Sequence, residues 1–260
     1  MEKLFEIIHE DADLLVINKP AGLVCHPTKG DAYSSLISRV RLHLGGDASA
    51  HLVNRLDRET GGVTVVAKNS ATAGDLGRLW ETRGVEKEYR AIVHGHVREQ
   101  SGWIDAPLGK DEQSRVAIKD CVRPDGLPAQ TEFFVERRFE RRVGSWSSSF
   151  SLSGGTPERE LQPGVPFSLL RVLPRSGRKH QIRIHLAHVG HAIVGDKIYG
   201  GDEDLYLALV ENRLTDEMRA RLLLPHHALH AVAIRFSWRD SPFEFRCEPE
   251  KWFTDFAAGG

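Results

Sequence analysis

The chain has only three cysteines in 260 residues, Cys25, Cys121 and Cys247, and they are odd in number and widely separated. That pattern argues against a disulfide framework and against a clustered zinc site, and it fits free thiols in a reducing compartment. The opening MEKLFEIIHEDADLLVINKP lacks the basic-then-apolar order of a secretory leader. No uninterrupted apolar run approaches the roughly 20 residues that cross a bilayer. An intracellular, cytoplasmic protein with no membrane association is the expectation. No internal repeat is visible. Excess charge of one sign is also missing, since 35 Lys and Arg face 36 Asp and Glu for a net charge of -1, which argues against a surface coated in positive charge. The distribution is nevertheless uneven. Residues 171 to 195 contain no acid, yet Arg171, Arg175, Arg178, Lys179 and Arg183 lie among them. Such a local field can hold phosphates with a salt-dependent affinity, or it can be a solvated basic face balanced by acids elsewhere in the fold. Composition leaves both readings open.

What is present, 40% hydrophobic and 27% charged residues, is the make-up of a globular protein with a sizeable core. Apolar and β-branched patterns predict strands at 4–9 and 14–18, followed by turn signals in PAGLVCHPTKG. Leu36, Val40 and Leu44 recur at helical spacing within 34–44, and a strand follows at 63–67. Residues 70–80 read as a helix with Ser70 as its N-cap, and EKEYRAIVHGHV reads as a strand. After Gly102 come short strands and turns. Residues 143–166, rich in Ser, Gly and Pro, read as a surface insertion that divides strands and not domains. A strand, a basic turn and a short helix follow, then a helical stretch at 203–223 and a strand at 228–237. The expected fold is α+β with a mixed, largely antiparallel sheet, forming a single domain over 1–260.

The densest chemistry lies in HLVNRLDRETGGVTVVAK, residues 51–68. One carboxylate, Asp57, stands between Arg55 and Arg58 in a turn that Gly61 and Gly62 allow to bend before Val63, Val65 and Val66 resume a buried strand. Flanking arginines would favour the ionised carboxylate, making it a candidate nucleophile. The plainer reading is a surface Arg–Asp pair that fixes a loop.

NRLDRETGG resembles the HRLDxxTSG signature of the RNA pseudouridine synthases, in the RluA-like branch that includes large-subunit ribosomal RNA enzymes and some tRNA enzymes. Asn54 departs from the usual His and Gly61 from the usual Ser. Three further stretches match in order. NKPAGLVCHP, residues 18–27, resembles NKPxGxxxHP, in which Lys19 reads as structural. KEYRAIVHG, 87–95, resembles KxYxAxVxG, and SGRKHQIRIHLAHVGHAIVGD, 176–196, resembles GRxHQIRxHLxxxGHPIxGD. The resemblance implies the pseudouridine synthase fold and isomerisation of a uridine in ribosomal RNA or tRNA, with the target base flipped out of its stack. It implies Asp57 as the catalytic residue, Arg183 as the basic residue that orients it through a bidentate salt bridge, and Tyr89 against the base. It also implies RNA or base contacts from Arg55, in the vacated position, and from Leu56, Arg178, Lys179, His180 and Leu229. No cofactor is expected, and the protein is expected to act as a monomer. Because the resemblance begins almost at residue 1, no small basic RNA-binding domain is expected ahead of it.

The histidines offer a rival. His180, His185, His188 and His191, with His226, His227 and His230, could supply metal ligands. No HExxH motif occurs, and 171–195 holds no acid to activate a metal-bound water, so no metal is expected. A noncatalytic RNA-binding protein on the same scaffold is the other alternative.

Overall fold

A computed structural model describes residues 5–27, 34–46, 49–142 and 164–258. The first half runs β1 (Glu6–Glu10), β2 (Leu14–Lys19), α1 (Leu36–His43), β3 (His51–Leu52), β4 (Gly61–Ala67), α2 (Ser70–Glu81) and β5 (Val85–His94). The middle supplies β6 (Ser101–Asp105), β7 (Leu108–Lys110), β8 (Asp120–Val122), β9 (Gln130–Arg141) and β10 (Val165–Pro174). The chain closes with α3 (Gln181–His188), α4 (Asp204–Val210), α5 (Asp216–Leu222), β11 (Leu229–Trp238), β12 (Ser241–Arg246) and α6 (Lys251–Ala258). Ten strands make one sheet whose main path is β1-β2-β4-β11-β5-β10-β9-β6, with β12 on β11 and β3 on β4. Among the described residues every strand pairing in it is antiparallel except that of β4 with β11. The fold is therefore α+β. None of the described helices is long and apolar enough to cross a membrane.

The near-continuous apolar runs of β2 and β4 follow from cover on both faces. Successive side chains point to opposite sides of a strand. Leu15, Ile17 and Val66 accordingly pack with Leu36, Ile37 and Val40 of α1, while Leu14, Val16, Val63 and Val65 pack with Leu76 of α2. A second core lies under the other half of the sheet, where Ile182 and Leu186 of α3 and Phe253 and Phe256 of α6 meet Ala91, Val93, Phe167 and Leu170.

The two halves meet at the parallel contact, which has only two registered pairs, Gly61 with His230 and Gly62 with Ala231. Parallel pairing brings the segment before β4, which carries Asp57, alongside the segment before β11, which carries His227. Gly62 makes the contact possible. Its φ of +120 degrees is one that other residues rarely adopt, and a Cβ there would stand 2.6 Å from the Ala231 amide nitrogen and closer still to the Ala231 carbonyl oxygen.

Several boundaries differ from expectation. The α2 N-cap is Asn69, whose side chain accepts from the Thr72 amide at 2.9 Å, because it is the residue with extended backbone. The stretch 203–223 is two helices, broken where Asn212 takes positive φ and Thr215 caps α5. Residues 143–163 of the expected insertion lie outside the described residues, but Val165 and Pro166 are already β10, paired with Arg141 and Glu140 of β9. The segment thus joins two adjacent strands. Neither helix α6 nor strand β12 is expected from the sequence pattern.

Gly62→Ala is expected to lower the unfolding free energy by about 3 kcal/mol or more, since both φ and backbone contact forbid a side chain. Gly77→Ala, in the interior of α2 with nothing within 4 Å of an added methyl, should gain about 0.5–1 kcal/mol. Denaturant titration of the two variants checks the pair, and equal midpoints would show that the joint tolerates a side chain.

Candidate active site

The turn carrying Asp57 is held from below by Lys19. This lysine is fully buried and donates to the carbonyls of Pro20, Leu23 and Arg58 at 2.9, 2.9 and 3.1 Å. Its burial lowers its pKa to about 8. The Gly22 amide also donates to the Arg58 carbonyl at 2.9 Å. Asn54 fixes the other end: its Oδ1 accepts from the Val65 amide at 2.7 Å and its Nδ2 donates to the Val63 carbonyl at 3.2 Å. Both ends of the turn are therefore pinned by polar side chains to backbone, which satisfies groups that burial would otherwise leave unpaired.

Against this turn stands Arg183 of α3. Its guanidinium donates from Nη1 to Asp57 Oδ2 at 2.8 Å, and from Nε and Nη2 to both oxygens of Asp196 at 2.7 and 2.8 Å. Arg183 and Asp196 are buried, whereas the Asp57 side chain keeps 27% exposure. The expected bidentate bridge from Arg183 to Asp57 is thus a single hydrogen bond. The bidentate partner is Asp196, because the fork of the guanidinium faces the turn at 196–199. Asp196 Oδ1 also accepts the amides of Ile198 and Tyr199 at 2.9 and 3.0 Å. Burial would push the Asp57 carboxyl up, but the Arg183 guanidinium, joined at acid pH by protonated His180 and His227, outweighs it and holds it below the ordinary range. Asp196 is likewise lowered against its burial, chiefly by Arg183.

His180 precedes α3 in the left-handed region at φ 55 degrees. Its Nδ1 pairs with the Tyr199 hydroxyl at 2.9 Å, and its Nε2 lies 3.8 Å from Asp57 Oδ1. The Arg183 guanidinium sits 5.0 Å from the Tyr199 ring centre. From the other side His227 Nε2 pairs with Thr60 Oγ1 at 2.7 Å, and Glu59 binds Lys197 at 2.8 and 3.0 Å. Burial drops the His227 pKa to about 4, so its ring is neutral at pH 7. Tyr89, on β5, is half-buried, and burial and the Asp57 charge both raise its phenol pKa. Leu56 and Leu229 are buried nearby in sequence and register, Leu229 opposite Ala91 two residues beyond Tyr89.

The structure separates other expected site residues from this centre. Arg55 is exposed, and Arg58 turns its Nε to the Gly22 carbonyl at 3.2 Å. The charge that holds Asp57 ionised thus comes chiefly from Arg183 of α3, and among the described residues neither flanking arginine bonds the carboxylate. In the acid-free segment Lys179 pairs with Asp120 at 2.8 Å and Arg175 with Glu132, while Arg178 is exposed and donates to the Pro128 carbonyl. Acids distant in sequence therefore balance much of it. The histidines take separate partners, His185 with Thr131 and the Ala106 carbonyl, His191 with the His94 carbonyl, and His230 with Cys247. Among the described residues no group of three or more His, Cys, Asp or Glu is assembled to hold a metal.

The profile of the RNA pseudouridylate synthase family matches residues 13–188. The chain belongs to that family. An uncharacterized RNA pseudouridine synthase of Aquifex aeolicus is 35% identical over 75% of this chain and 55% of its own length. Ribosomal large subunit pseudouridine synthase D of Zymomonas mobilis is 32% identical over 89% of this chain and 64% of its own. The chain thus spans somewhat more than half the length of these relatives. The solved human RNA pseudouridylate synthase domain containing 1 shares the fold, with a TM-score of 0.70 at 23% identity over 99% of this chain and 89% of that one.

Asp196, Tyr199, Thr60 and the placement of His227 were not among the site residues expected for this family member. Asp196 had a visible signal, as the acid that ends the acid-free run. The others are joined to the site only by the fold.

Asp196→Asn should cost about 3–5 kcal/mol at pH 7 by leaving part of a buried guanidinium unpaired. Because the Asp196 pKa is lowered in the fold, its contribution is present above the ordinary carboxylate value near 4 and is lost as pH falls through the folded value. The gap between variant and wild type should therefore narrow below about pH 4. His227 contributes in a higher window, with stability present above about 6.5 and lost as pH falls toward 4. Denaturant titrations of the variant and wild type at about pH 7, 5 and 2.5 check the Asp196 window, and a gap constant over that range would rule out the charge as its source.

Proposed function

We propose that the chain converts a uridine in structured RNA into pseudouridine without a cofactor, acting as a monomer with Asp57 as the catalytic residue. The observation that carries this reading is the 2.8 Å bond from Arg183 to Asp57, which joins two family motifs 126 residues apart at a partly exposed carboxylate. The reaction breaks the glycosidic N–C bond, turns the uracil and rejoins it through carbon. It needs an ionised nucleophile or base beside the sugar, and Asp57 is held in that state.

A uridine inside a stack is out of reach, so the base must flip. Tyr89 would lie against the flipped ring as a neutral phenol, in keeping with its raised pKa. Arg55, exposed in the same turn, is free to enter the vacated position. Leu56, Leu229 and His180 would border the base, with Arg178 and Lys179 on the strand beside it. The name of the Zymomonas mobilis relative favours ribosomal RNA over tRNA as the substrate.

Asp57→Asn should abolish pseudouridine formation while leaving the fold and RNA affinity nearly unchanged. Arg183→Lys keeps the charge but loses the planar fork, so kcat should fall at least about 10²-fold through misplacement of the carboxylate. Pseudouridine mapping in RNA from cells with and without the protein, followed by single-turnover assays of both variants, checks this. Turnover by Asp57→Asn would remove the carboxylate from the chemistry.

A further inference from the structure

Strand β5 pairs with β10 only as far as Tyr89 opposite Val172. Beyond that point β10 stays with β9 to Pro174, and β5 stays with β11 to Val85. The two central strands therefore part just past Tyr89, and a groove of about 800 Å³ opens where they separate. Its walls are the end of α2 and the turn after it, the first four residues of β5, the end of β10 with the loop that follows, and Arg235 of β11, with six cations against three carboxylates.

Four of the cations, Arg83, Lys87, Arg171 and Arg178, have no carboxylate partner among the described residues, whereas Arg175 is paired with Glu132, and Arg235 with Glu88 and Glu244. Lys87 is the informative one. It lies two residues before Tyr89 on β5, about 6.7 Å away along the chain, beside the register shift that β11 makes opposite Glu88 and Tyr89. It is half-buried and makes no hydrogen bond among the described residues, and a methyl on Gly177 would stand only 3.4 Å from its ammonium. Burial and the neighbouring Arg83 both lower its pKa, the mark of cations crowded without an anion. Holding the half-buried Lys87 ammonium unpaired beside Arg83 is costly unless a ligand neutralises it.

We infer that this groove binds the phosphate backbone of the RNA strand flanking the target uridine. The inference rests on the proposed function and extends it to a surface built by Arg83 and Lys87, outside the acid-free segment. Alternating phosphates and sugars suit a groove whose cations are spaced along two separated strand ends, and such contacts position a strand without reading its sequence.

The test measures anisotropy of a fluorescein-labelled RNA hairpin of about 20 nucleotides, with uridines in its loop, between about 50 and 200 mM salt. It compares wild type, Arg83→Gln, the double variant Arg83→Gln with Lys87→Gln, and Arg213→Gln as a control, a residue paired with Glu211 and absent from the groove walls. The double variant should bind roughly tenfold more weakly at about 100 mM salt, and its slope of log affinity against log salt should fall by about 1.4, at about 0.7 per contact. Arg83→Gln, in an exposed turn, should give about half that change, and Arg213→Gln none. An unchanged slope in the double variant overturns the inference, as does binding of a poly-glutamate peptide that the same substitutions abolish as strongly. Loss of slope in a protein that makes no pseudouridine would leave the groove standing and sink the proposed reaction, while turnover with an unchanged slope would do the reverse.

Discussion

A buried guanidinium held between two carboxylates organises this molecule. Burying the Arg183 charge would be prohibitive alone, and one carboxylate would satisfy only part of its donor fork. Asp196 takes two of its bonds and is itself fixed by two backbone amides, while a third donor is aimed at Asp57. The outer carboxylate thus inherits a fixed position from a buried one. It retains access to solvent because the buried partner carries most of the pairing. This division explains how a carboxylate can be fixed in position and still reachable, two properties that burial normally sets against each other.

The network can close only if three distant pieces of chain meet: the turn before β4, the start of α3 and the turn at 196–199. The parallel joint of β4 with β11 supplies the first alignment, and Gly62 lets those backbones approach. His227 and Thr60 then pair across the joint, so the same contact that unites the two halves of the sheet positions the side of the site opposite Arg183. Fold and site share their most constrained residues.

Elements with strong periodicity and local caps were legible in the sequence: the apolar strands at 14–18 and 63–67, α1, α2 and β5 emerge within a few residues of their expected limits. Asp57 and Arg183, which the family motifs single out, lie in contact, with His180 beside them. What sequence could not provide was direction. Arg55 and Arg58 flank Asp57 in the chain, but among the described residues neither bonds its carboxylate, and the charge that governs it, on Arg183, arrives from 126 residues away. Asp196 lay in plain view, yet nothing local distinguished an acid that grips Arg183 from one that caps a turn. Short α6 was missed because eight residues show barely two turns of periodicity, and its Phe253 and Phe256 acquire meaning only against the core around Phe167.

The acid-free segment shows the same limit in electrostatics. The stretch from 171 to 195 suggests an open basic face, but Asp120 and Glu132 cross to Lys179 and Arg175, and Arg183 turns inward to Asp196. The two that have no carboxylate partner among the described residues, Arg171 and Arg178, gain strength where the fold adds Arg83 and Lys87 from the other side of a split in the sheet. Field strength depends on distance through space and on burial, and neither follows chain order. A nearly neutral protein can therefore hold a groove in which cations outnumber carboxylates two to one, because the strands that part beyond Tyr89 bring together charges that lie far apart in the chain.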